Sequence, residues 1–92
     1  MTPEPFEIAW TATSRRALSR LPEKVATAVV ELCYGPLADN PARLGKPLRF
    51  ELEGLHTARR GDYRIIYRFD HGRHRAEIVA IEHRSDAYRS RV

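Results

Sequence analysis

Apolar and polar positions alternate most regularly from Asp62 to Asp70, where Tyr63, Ile65, Tyr67 and Phe69 fall on one side of an extended chain and Arg64, Ile66 and Arg68 on the other. This period of two predicts a strand with one buriable face and one cationic face. Leu55 to Arg60 predicts a preceding strand, joined to it through the tight turn Gly61-Asp62. Asp70-His71-Gly72-Arg73 predicts another turn, and Ala76 to Ile81 is a near-continuous apolar run of the kind carried by a strand covered on both faces.

The first half has helical periods. Phe6 to Trp10 alternates weakly and predicts an opening strand, after which Thr11 or Thr13 can cap a helix over about Ala12 to Arg20. That helix groups Ala17, Leu18 and Leu21 and leaves Arg15, Arg16 and Arg20 to solvent. Pro22 suits the first turn of a second helix, whose apolar stripe is Val25, Val29, Leu32 and Cys33. Gly35-Pro36 is expected to weaken or end it, and Asn40-Pro41 to close the helical region. Arg43 to Glu53 reads as an irregular basic segment, and Ser85-Asp86 as the cap of a last short turn holding Tyr88. The predicted order is β-α-α-β-β-β with a C-terminal turn: an α+β fold in which an αα-hairpin covers one face of a largely antiparallel sheet.

Charge adds direction to this picture. Residues 1–42 carry four Lys or Arg against five acids, and residues 43–92 carry twelve against seven, so the positive field belongs to the strand-rich half. Fourteen of the sixteen cations are Arg, the side chain suited to bidentate phosphate contacts and to stacking on bases. Nucleic acid is the leading partner class, with an acidic protein surface as its rival. Ninety-two residues predict a single domain, residues 1–92, with one modest core. The lone Cys33 excludes an internal disulfide and is expected to be a buried, inert thiol. No apolar run is long enough for a membrane span and no basic-then-apolar leader opens the chain, so a cytoplasmic protein is expected. Asp70, His71 and His74 make a weak metal spacing without a further convergent ligand, so no metal or cofactor is expected.

Gly61-Asp62-Tyr63-Arg64-Ile65-Ile66-Tyr67, followed by Ile81-Glu82-His83-Arg84-Ser85-Asp86-Ala87-Tyr88-Arg89, resembles the RelE branch of the RelE/ParE toxin superfamily. Asn40-Pro41, Gly45, Leu48, Glu53-Gly54-Leu55 and the Trp10 to Leu21 helix match the same branch, so the resemblance spans nearly the whole chain. It implies a microbial-RNase-like fold and the toxin of a type II toxin–antitoxin pair. Such a toxin enters the ribosomal A site and cuts mRNA there, without metal, by attack of a ribose 2′-OH on the adjacent phosphate. A cognate RelB-like antitoxin neutralises it.

This chemistry needs a proton acceptor for the 2′-OH, charge stabilisation at phosphorus and a proton for the leaving 5′-oxygen. Arginine suits the second task, because it neither donates nor accepts protons readily near neutrality. By the resemblance, Arg64 is the phosphate clamp, Arg59 lines the site in preference to its neighbour Arg60, and Arg84 and Tyr88 occupy the C-terminal catalytic positions. His83 adjoins them and titrates in the useful range. Lysines that enterobacterial members carry before the Gly-Tyr-Arg turn are replaced by Leu55 and Thr57, which leaves the general base open among His83, Tyr88, His56 and Lys46. Arg43, Lys46, Arg49, Arg60 and Arg68 are the expected RNA contacts. Each of these side chains also has a plainer reading, as a solvated or ion-paired residue of a basic surface. Trp10 is expected at the core edge. Two rival functions share the fold: a ParE-like inhibitor of DNA gyrase, and a non-catalytic module binding RNA or antitoxin.

Overall fold

The computed structural model describes residues 4–48 and 54–85. Strand β1 (Glu7–Trp10) leads into helix α1 (Ala12–Arg20) and helix α2 (Glu23–Leu32), which continues through a wide π-type turn, Cys33–Leu37. A one-turn helix α3 (Pro41–Leu44) precedes four strands, β2 (Lys46–Pro47), β3 (His56–Arg60), β4 (Tyr63–Asp70) and β5 (Arg75–His83). All five strands form one sheet in the order β1-β5-β4-β3-β2, with β1 parallel to β5 and every other pair antiparallel. The expected α+β arrangement holds: the helices cover one face of a largely antiparallel, twisted sheet.

Thr11 explains where α1 begins. Its Oγ1 accepts the Ser14 N–H at 3.1 Å and donates to the Val79 carbonyl at 3.0 Å, so one hydroxyl both caps the helix and ties it to β5. Ala17, Leu18 and Leu21 then pack against the core. Pro22 stands one position earlier than the sequence predicts, as the residue capping α2 instead of its first turn. Val29, Cys33 and Leu37 are fully buried against Ala58, Ile65, Tyr67, Ile78 and Ile81 of the sheet. Each of the larger aliphatic side chains contributes roughly 1.5–3 kcal/mol by leaving water.

Gly35-Pro36 does not end the helix. The turn widens so that the Ala38 N–H reaches the Cys33 carbonyl, five residues back, and the chain passes Pro36 without needing the N–H that proline lacks. Asn40-Pro41 likewise opens a helical turn where a closure is expected: Asn40 Oδ1 accepts the Arg43 N–H at 3.3 Å and Pro41 takes the first helical position. Part of the segment expected to be irregular is therefore ordered, with Arg43 on α3 and Lys46-Pro47 as an edge strand beside His56-Thr57.

Strand β5 contains a bulge. Ile66 pairs with Ala80 but Tyr67 with Ile78, so Val79 is an extra residue on β5. This accounts for the near-continuous apolar run. Ile78 and Ile81, three residues apart, would point to opposite faces of a regular strand, yet both are buried on the helix side. The same displacement puts Glu77 and Glu82, five apart, together on the other face.

Candidate functional site

The sheet face away from the helices carries the charge pattern of interest. Arg59 on β3, Arg64 on β4 and Glu82 on β5 are direct register partners and form one row across three strands. Lys46, Thr57, Ile66 and Ala80 form the next row across four strands, and Arg68 and Glu77 lie opposite one another beyond the bulge. Gly61 sets this register, because its φ of 62° in the turn between β3 and β4 is a left-handed conformation that glycine adopts without strain. The lysine expected on β3 is absent at Thr57, but Lys46 stands directly beside Thr57 on β2, one strand over on the same face.

Two of the cross-strand ion pairs on this face differ. Arg68 is engaged by Glu77 through an Nε–H to Oε1 hydrogen bond of 2.7 Å. Arg64 is not so engaged: its Nη2 lies 3.9 Å from Glu82 Oε1, a charge contact too long for a hydrogen bond. The Arg64 Nε is sheltered and, among the described residues, has no hydrogen-bond partner, and Thr57 Oγ1 is in the same condition. Arg64 thus keeps donor capacity on a partly covered face, where an anion gains more than it would in open solvent.

Arg84 follows β5 and is tied to the β3–β4 turn, its backbone N–H donating to the Asp62 carbonyl at 2.8 Å and its Nη1 lying 3.7 Å from Asp62 Oδ1. It therefore stands at the end of the sheet where Arg59 and Arg64 face each other. His83 does not join the row. The pleat opposes it to Tyr63 on the helix-facing side, with the two rings 5.0 Å apart and edge to face, while its Nδ1 bonds Ser85 Oγ at 2.8 Å. Arg60 is the partner of Tyr63 and shares that side, so of the two adjacent arginines only Arg59 belongs with Arg64. Arg43 is exposed on α3 and is not part of the row. Arg49, Asp86 and Tyr88 lie outside the described residues.

Other titratable groups are packed into the fold. His56 Nδ1 is buried and, among the described residues, has no hydrogen-bond partner; its ring lies 4.8 Å from that of Phe69, and burial pushes its pKa below the usual histidine value. Burial pushes the Cys33 thiol up to about 12, as an inert thiol requires. His74 stacks on Phe6 at 4.0 Å, and His71 meets Phe6 and Phe69 edge to face. Trp10 sits at the core edge, its indole N–H donating to the Tyr34 hydroxyl at 3.0 Å. Among the described residues no three His, Cys, Asp or Glu converge as metal ligands, and no helix is long and apolar enough to cross a membrane.

Sequence reasoning overlooked Glu82. The odd spacing of Ile78 and Ile81 is the signal that could have found it, since two buried residues three apart in a strand demand a bulge.

Residues 8–88 match the family model described as the ParE toxin of the type II toxin–antitoxin system parDE. The chain is 61% identical to Toxin RelE of Mycobacterium tuberculosis over 85 residues, 92% of this chain and 88% of that one. It is 46% identical to Toxin RelG of the same organism, across 92% of this chain and 98% of the relative. The solved structure of the toxin–antitoxin complex RelBE2 from Mycobacterium tuberculosis superposes with a TM-score of 0.84 at 44% identity, covering 90% of this chain and 95% of the other. The chain therefore belongs to the ParE toxin family of type II toxin–antitoxin systems, within the RelE branch of the RelE/ParE superfamily.

Proposed function

We propose that this toxin is a ribosome-dependent mRNA endonuclease that cuts in the A site by attack of the ribose 2′-OH on the adjacent phosphate, needs no metal, and is neutralised in the cytoplasm by a cognate RelB-like antitoxin. The observation that carries this reading is the Arg59–Arg64 row on the sheet face left open by the helices, with Lys46 in the adjacent row. Arg64 and Arg59 stabilise the charge that builds on the phosphorane, Arg84 assists at the phosphate or leaving group, and Tyr88 stacks on a base or helps proton transfer. Lys46, Arg43, Arg49 and Arg60 contact the RNA or ribosomal backbone. Arg68 and His83 play lesser parts than the sequence assigns them, since Glu77 engages the first and the pleat turns the second away. The antitoxin reading is supported by the RelBE2 complex, whose toxin shares this fold.

The test is cleavage of mRNA programmed into ribosomes, with and without ribosomes, with chelator, and with Arg64→Ala beside wild type. Cuts at the A-site codon that need the ribosome, survive chelator and vanish in the variant establish the function. The family model's ParE description favours a second reading, inhibition of DNA gyrase. Intact mRNA together with gyrase-dependent DNA damage on induction decides for it. With gyrase also unaffected, a growth phenotype unchanged by Arg64→Ala and by Tyr88→Phe decides for a non-catalytic binding module.

A further inference from the structure

We infer that Glu82 is the general base of the cleavage reaction, a catalytic residue that takes the proton from the attacking 2′-hydroxyl. The inference rests on the endonuclease reading above. Four observations lead to it. The row Arg59–Arg64–Glu82 ends in a carboxylate, and the bulge at Val79 is what brings that carboxylate to the open face. Its Oε1 is 3.9 Å from Arg64 Nη2, near the phosphate-binding group but not hydrogen-bonded to it, whereas Glu77 is fully engaged by Arg68 in the equivalent cross-strand place. The side chain is about 25% exposed, enough for a substrate hydroxyl to reach it. Of the other candidates on the described residues, His83 faces the helix side, the ring of His56 packs on Phe69 and Tyr67, and Lys46 shares the open face but stands on β2, two strands from Arg64 and one row along.

The geometry suits the step. A phosphate held by Arg64 brings the neighbouring 2′-oxygen to roughly 3–3.5 Å from phosphorus in an attacking pose, and a proton acceptor is then needed within hydrogen-bond reach of that oxygen. The carboxylate beside the clamp meets this requirement, because both of its oxygens can accept a hydrogen bond from that hydroxyl. Glu82 takes the 2′-OH proton as the O2′–P bond forms. The P–O5′ bond breaks, the 5′-oxygen picks up a proton from solvent, and the proton on Glu82 returns to solvent. The products are a 2′,3′-cyclic phosphate and a 5′-hydroxyl, with no net proton or electron change.

The experiment compares wild type, Arg64→Ala, Glu82→Gln and Glu82→Asp in single-turnover cleavage of ribosome-bound mRNA over a pH range that extends from about 8 down through the ordinary carboxylate range, with ribosome binding and thermal unfolding measured on the same proteins. A lost general base lowers the rate about 10²–10⁴-fold. Glu82→Gln should show a loss of that order and lack the acidic limb of the pH–rate profile, with binding and melting temperature close to wild type. Glu82→Asp should recover part of the rate and restore the acidic limb. The inference is overturned if Glu82→Gln cleaves as fast as wild type or faster while Arg64→Ala is dead, which would make Glu82 a counter-ion of Arg64 and leave the endonuclease reading intact. It is also overturned if Glu82→Gln is slow but keeps the wild-type pH profile. Wild type that cuts no RNA overturns the endonuclease reading itself, and Glu82 as its base with it.

Discussion

Arg59 and Arg64 are direct cross-strand partners, two like charges set opposite each other on adjacent strands. Like charges in that position destabilise a sheet by roughly 0.2–1 kcal/mol, and a face selected only for folding would not keep them. Arg59→Thr should therefore raise the unfolding free energy by about that amount in urea titration while lowering RNA cleavage at least tenfold. Cleavage left intact by the substitution would separate Arg59 from the site.

Binding to the ribosome–mRNA complex should weaken steeply with salt. Each phosphate neutralised on single-stranded RNA contributes a slope of about 0.7 in log K against log salt. Arg59→Ala and Lys46→Ala should each reduce the measured slope by about that amount. A slope that does not change would mean that these cations do not meet phosphate.

Tyr67 is buried, and its hydroxyl donates to the Pro41 carbonyl at 2.6 Å, pinning α3 to β4. Tyr67→Phe leaves that carbonyl without its donor and should cost about 1–3 kcal/mol. A Cβ at Gly45 would stand 2.5 Å from the Thr57 carbonyl and 2.6 Å from the Tyr67 hydroxyl, so Gly45→Ala should destabilise by a further ~1–3 kcal/mol as the edge strand is forced outward. Thermal or urea unfolding of the two variants checks both.

Above pH 9 stability should fall. In the unfolded chain the Cys33 thiol ionises near its ordinary value of 9.0, while in the fold it holds its proton up to about 12. Between those values the native state binds more protons, so its stability is complete below pH 9 and is lost as pH rises toward 12. Cys33→Ala should remove this part of the slope, although it leaves a small cavity, and an alkylating reagent should label Cys33 only in denaturant.

His56 works in the other direction. Its folded pKa is depressed by burial, so the unfolded chain takes up the proton first as pH falls below about 6.5. The stabilising contribution is present above that value and is lost as pH falls through the depressed folded one. His56→Phe should flatten stability between pH 5 and 7, and NMR titration should place the imidazole below the ordinary histidine range.

Much of this was legible in the residues. The bounds of α1 follow from Thr11 and from the Ala17, Leu18 and Leu21 grouping, and the period-two run from Tyr63 to Phe69 assigns Arg64 to the face opposite the core. What escaped prediction are places where tertiary packing overrides a local rule. Pro36 reads as a breaker because an α-turn cannot absorb it, yet a wider turn can once Cys33 and Leu37 are buried on either side. Lys46-Pro47 is too short to show a period, and it is a strand only because β3 offers it partners. His83 looked like a neighbour of the arginines because it adjoins Arg84 in sequence, but alternation sends consecutive strand residues to opposite faces.

The extra residue at Val79 amounts to a phase slip: β5 before it and β5 after it keep the same faces only because the count is off by one. Removing that residue would leave Ala76 and Ile78 in the core while turning Ile81 outward and Glu82 inward, exchanging inside for outside over the last four of the strand's nine residues. A single-residue deletion here would therefore do what several substitutions could not, and split the row at Arg64 without altering any side chain in it. Insertions and deletions scanned along β5 should divide at this point, those that preserve the slip giving a toxin and those that erase it giving neither core nor site.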